Sequence, residues 1–107
     1  MSYRLLSASQ TAYDIEEAFE WYESERIGLG AEFLEEVRAV YSRIEESPLK
    51  YQVLKFDIRR ALTQRFPYAA YFIVADDRVI ILAVLHAARD PVRWHQRRSY
   101  RVSESQS

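Results

Sequence analysis

The stretch Ile58–Asp90, IRRALTQRFPYAAYFIVADDRVIILAVLHAARD, decides the fold of this chain. From Ile58 to Phe66 the side chains alternate: Ile58, Arg60, Leu62 and Gln64 share one side, and Arg59, Ala61, Thr63 and Arg65 the other, which is the period of a strand. Tyr68–Ala75 is rich in aromatic residues that suit a pleated surface. Arg78–Ala87 is apolar almost throughout, the pattern of a central strand buried on both faces. Phe66-Pro67-Tyr68 and Asp76-Asp77 supply two tight connections. The prediction is a three-stranded antiparallel meander. Paired arginines stand at its entrance, and His86 and Arg89 at its exit. A plain core hairpin needs neither, so function is sought around this sheet.

Upstream, the period changes from 2 to 3.6. Tyr3–Leu6 is a short strand that can join the edge of the meander. Ser7 with Gln10 fits a capping box, and Ala12, Ile15, Phe19 and Tyr22 form an apolar stripe beyond it. This helix should stop near Arg26, because Gly28-Leu29-Gly30 is a flexible break. A second helix carries Phe33, Val37, Val40, Tyr41 and Ile44 on one face and ends before Pro48, which disfavours a helical Ser47. Residues 48–57 read as a loop. Downstream, Asp90-Pro91 reads as a helix cap followed by proline at the first helical position, opening a short helix that contains Trp94 and runs to about Arg98. The predicted class is a two-layer α+β domain over residues 1–98, with an antiparallel helical hairpin covering one sheet face and the other partly open. Residues 99–107 are polar and read as a disordered tail.

Composition excludes several classes. The 107 residues, 49% hydrophobic, suffice for one core, and the absence of cysteine removes disulfides and thiolate metal sites. The longest apolar run, Val79–Leu85, is far short of the ~20 residues a spanning helix needs. With no signal-peptide pattern at the N-terminus, a cytoplasmic location away from membranes is expected. The net charge of −1 hides a segregation: residues 8–47 hold eleven acids against three bases, and residues 48–107 eleven bases against five acids. The basic half suggests an anionic partner; two ordinary solvated surfaces explain the same pattern.

Candidate chemistry follows from that half: Lys55, Arg59, Arg60, Arg65, Arg89 and Arg93, with His86 and His95. Arginine forks pair with phosphates and carboxylates through two parallel donors. Extended geometry sets Arg59 and Arg65 on one side, roughly 20 Å apart, with Arg60 opposite them and partly buried against a carboxylate. Solvated arginines on an exposed face are the alternative for each. His86, at the mouth of the sheet, reads as structural support and His95 as a general acid or base or as surface decoration. Asp90 caps the last helix and can pair with Arg89. Arg89, between a buried strand and that cap, outranks tail arginines such as Arg97 and Arg101. Neither metal-ligand spacing nor a glycine-rich phosphate loop occurs, so no cofactor or metal is expected.

With the acidic helical hairpin, IRRALTQRFPYAAYF (58–72) and ILAVLHAARDPVRW (81–94) in place, the chain resembles the RelE/ParE superfamily of type II toxin–antitoxin toxins, and within it the ParE or plasmid-stabilisation branch. The pairing of RFPY with VLH-x-x-RDP is the specific element. The resemblance implies a growth-inhibiting toxin neutralised by a cognate antitoxin. It implies either inhibition of DNA gyrase without hydrolytic chemistry, or RelE-type cleavage of mRNA on the ribosome. For a nuclease, the resemblance puts Arg65, Arg89 and His95 at catalysis. For a gyrase inhibitor, Arg59, Arg65 and Arg89 bind the target. The lysine-rich central strand of the ribosomal nucleases is missing, since only Lys50 and Lys55 precede the arginine pair. An inactive or repurposed interaction module is the third reading. An exposed sheet face and a short edge strand also suit self-association or a heteromeric toxin–antitoxin assembly.

Overall fold

The computed structural model describes residues 3–88 and 91–99. Its elements run Arg4–Ser7 (β1), Ser9–Glu25 (α1), Leu29–Glu46 (α2), a 3-10 turn at Pro48–Lys50, Val53–Lys55 (β2), Ile58–Leu62 (β3), Tyr68–Ala75 (β4), Arg78–His86 (β5) and Pro91–Gln96 (α3). One five-stranded sheet takes the order β1-β5-β4-β3-β2. The meander predicted from Ile58 onward is its antiparallel part, and β1 adds parallel to β5. The α+β architecture is therefore as expected.

Four details differ from the sequence reading. The segment read as a loop contains β2, a three-residue edge strand paired with β3. Strand β3 ends at Leu62 rather than Phe66, because the Thr63 amide turns back to the Tyr68 carbonyl and its hydroxyl donates to Phe66 O. Ser7 does not cap α1: it closes β1, the N-cap is Ala8 with no side-chain cap, and the Ala8 amide donates to Ile81 O. The buried face of α1 is Thr11, Asp14 and Ala18, one position off the apolar stripe, with Ala12 exposed.

The helical hairpin covers one sheet face. Phe33, Val37, Val40 and Ile44 of α2 pack with Ala18 onto Ala61, Ala70, Phe72, Val79 and Ile81. Burying a side chain of that size is worth about 1.5–3 kcal/mol. The turn between the helices closes in three residues, with Gly28 at φ 93° as the N-cap of α2. The Glu23 carboxylate, at the end of α1, accepts the Gly28 and Gly30 amides at 3.0 and 2.9 Å. It satisfies orphan donors and sits where the helix dipole favours negative charge. The face expected to be partly open carries a second core of Ile58, Ala69, Tyr71, Ile73, Ile80, Leu82 and Leu85. Trp94 of α3 lies on it, stacked on Tyr71 at 4.9 Å and 11°.

A bulge in β5 re-aims its exit. Tyr71 pairs with Ala83 and Phe72 with Ile81, so Leu82 is the extra residue, and Leu82 and Ala83 face the same side. Beyond it the alternation is reset. Val84 and His86 consequently turn toward the helical hairpin, and His86 pairs across the ladder with Tyr68.

Candidate functional site

Arg65 lies in the turn after β3, not on the strand, so the expected straight line from Arg59 to Arg65 does not exist. Its guanidinium meets Glu32 at 3.1 Å and Glu36 at 3.4 Å, both on α2. Glu36 also accepts the backbone amides of Gln64 and Arg65, and Glu32 reaches Arg26 at 3.5 Å. The bond from Arg65 holds the Glu32 carboxyl below its usual range, while the Gln64 amide and then Arg65 do the same for Glu36. The neighbouring Phe66 fills an aromatic cluster with Tyr22, Phe33 and Tyr68. The RFPY segment thus fastens the β3–β4 turn to the helical hairpin. To grip an anion, Arg65 would have to exchange two carboxylate partners for it.

Arg59 points to the hairpin side and donates to the carbonyls of Tyr51 and Leu49, at 2.6 and 3.3 Å. It straps the 3-10 turn to β3. Arg60 points to the other face as expected, where it stands directly opposite Tyr71 in the ladder; among the described residues no carboxylate is bonded to it. Burial pushes the ionisation of Tyr71 up, and the positive charge of Arg60 offsets part of that. Arg89 and Asp90 lie outside the described residues, as does the predicted tail beyond Ser99.

His86 stands edge-on to Tyr68 at 5.6 Å, and its Nδ1 accepts the Ala88 amide at 3.2 Å. His95 packs edge-on against Trp94 at 4.2 Å and near Phe56 at 6.4 Å. Trp94 belongs to the core opposite the helical hairpin, whereas Arg65 is paired with α2. The sheet separates Arg65 from His95, so the structure does not bring these two together.

The sequence reading missed the polar centre of the molecule. Asp14 is buried on α1, and the Arg97 fork grips both its oxygens at 2.8 Å. The Val84 amide donates to the same carboxylate at 3.0 Å, and Arg97 also donates to Leu82 O. Strand β1 covers β5 only as far as Ile81. At that point Thr11 Oγ1 and the Ala8 amide both donate to Ile81 O, and past it Arg97 donates to Leu82 O and Asp14 accepts the Val84 amide along the edge of β5. The sequence carried no signal for it, because the apolar stripe Ala12, Ile15, Phe19 and Tyr22 passes Asp14 by and the buried face lies one position off that stripe.

The fold matches known proteins. A model of the ParE toxin of the type II toxin–antitoxin system parDE matches residues 8–91. The chain belongs to the ParE toxin family. Among solved structures, the chromosomal ParDE toxin–antitoxin system from P. aeruginosa is similar, with a TM-score of 0.72 and 14% identity over 78% of this chain and 95% of that one. At that identity the likeness shows the fold. Among curated proteins, none matches. Membership makes the chain a type II toxin and implies an antitoxin partner. Among the described residues no helix is long and apolar enough to cross a membrane, and no three acidic or histidine side chains gather to hold a metal.

Proposed function

We propose that the chain inhibits DNA gyrase and that a cognate antitoxin, whose disordered arm orders as it binds, neutralises it. The observation that carries this reading is the match to the ParE family over residues 8–91. The arrangement of side chains supports it: Arg65 and His95, two members of the set a RelE-type nuclease would need, stand on opposite sides of the sheet. Gyrase as target implies action in the cytoplasm, and a toxin paired with an antitoxin suits plasmid stabilisation. Arg89, three positions after His86 in the sequence, is the residue assigned to target binding ahead of Arg65 and Arg59.

A supercoiling assay with purified chain and gyrase tests the reading, and the expected result is loss of supercoiled product. Unchanged supercoiling with codon-dependent mRNA cuts on ribosomes would replace it with the nuclease reading. Harmless expression with tight antitoxin binding would leave an interaction module.

A further inference from the structure

An open cavity of about 470 Å³ lies between α1 and the exit of β5. Glu17, Glu20 and Trp21 line one wall, and Tyr68 and His86 stand on the other. The spacing i, i+3, i+4 puts the two carboxylates and the indole on one helix face. Trp21 is 60% exposed and leaves a large aromatic face in water. Among the described residues neither Glu17 nor Glu20 has an ion-pair or hydrogen-bonding partner, whereas Asp14 at the cavity floor is consumed by Arg97 and Val84. Arg93 also lines the cavity, 3.9 Å from Asp14, so a guanidinium already sits at its rim. Helix α1 carries six acids and no base from Ser9 to Glu25, which makes the potential over this wall negative.

An exposed indole flanked by unpaired carboxylates is suited to a planar cation. Arginine stacks on an aromatic face and still presents its donors to carboxylates, which a neutral or anionic group cannot do. We propose that this cavity is a docking site for an arginine side chain of a protein partner. The site stands on its geometry alone and does not depend on which target the toxin attacks. It gives the acidic half of the chain a cationic partner, in addition to any anionic partner of the basic half.

Titration of the ¹⁵N-labelled full chain with the capped tripeptide Gly-Arg-Gly, followed at the indole N–H signals, tests this. Trp21 should shift saturably, while Trp94, buried against the opposite face, should not move. The same peptide with citrulline, neutral and nearly isosteric, should give no saturable shift. The double variant Glu17→Gln/Glu20→Gln should bind roughly threefold or more weakly. Both positions are exposed, so its unfolding midpoint should match that of the parent. Equal shifts with the citrulline peptide, undiminished binding by the double variant, or no Trp21 response would each overturn the proposal.

Discussion

Asp14 shows how much one residue can decide here. Its carboxylate holds the Arg97 fork and the Val84 amide at once, with almost no contact with water. Removing one partner of a buried pair leaves the other charge uncompensated, at about 3–5 kcal/mol. Total stability for a domain is about 5–15 kcal/mol. Asp14→Ala should therefore lower the urea midpoint severely, and a loss below about 1 kcal/mol would show that water replaces the carboxylate. Apolar periodicity could not reveal this, because Arg97 lies 83 positions away and reads as part of a polar tail. The opposite outcome is expected at Arg89, the residue assigned to the target. Arg89→Ala should abolish growth inhibition while the purified variant unfolds like the parent and keeps antitoxin affinity within about 1–3 kcal/mol. Full toxicity, or a collapsed fold, would make Arg89 a structural residue instead.

Among the elements, those with strong internal periodicity were legible and those defined by a neighbour were not. Helix α2 and strand β4 carry their own apolar repeat; β4 lies where the sequence puts it, and α2 differs only in starting at Leu29, inside the predicted Gly28–Gly30 break. The three-residue strand β2 exists only through its pairing with β3, and the end of β3 is set by Thr63 and by Glu36 on another element. That Glu36 contact predicts a pH dependence. Both Glu32 and Glu36 titrate below the ordinary 4.5 when folded. Just below that value the unfolded chain binds more protons, so stability rises with pH there. The contribution is complete above about pH 4.5 and is lost as pH falls through the lowered folded values. Glu36→Gln should flatten the decline of the unfolding midpoint in acid, and an unchanged acid slope would remove the turn's anchor from the account. Gly30 makes a second test of the helical hairpin. A Cβ there would meet the Phe19 ring at 2.4 Å and Glu23 Oε1 at 2.8 Å, so Gly30→Ala should destabilise by about 1–3 kcal/mol despite its better helix propensity.

At the scale of the whole molecule the two sheet faces are covered unequally. The helical hairpin supplies 35 residues of helix to one face, in runs of 17 and 18, and α3 only six to the other. A helix that short is unstable by itself, so tertiary contacts must hold it. Among the described residues its fastenings include Trp94 stacked on Tyr71, the Arg97 fork on Asp14 with Arg93 at 3.9 Å from the same carboxylate, and the Arg98 fork on Asp57 at 2.7 and 2.9 Å. The exposed Arg98 pair adds little, about 0–1 kcal/mol, which leaves the stack and the buried pair as the two real anchors. Because the second of these also seals the edge of β5, the thin layer and the sheet should loosen together. A double-mutant cycle with Trp94→Leu and Asp14→Asn, mild enough to keep the double variant folded, measures this. If both residues secure one cooperative unit, the second loss costs less once the first has freed α3. The combined destabilisation should then fall short of the sum by more than about 0.5 kcal/mol. Additivity within that margin would mean that Asp14 serves the β5 edge alone and that Trp94 holds α3 without it.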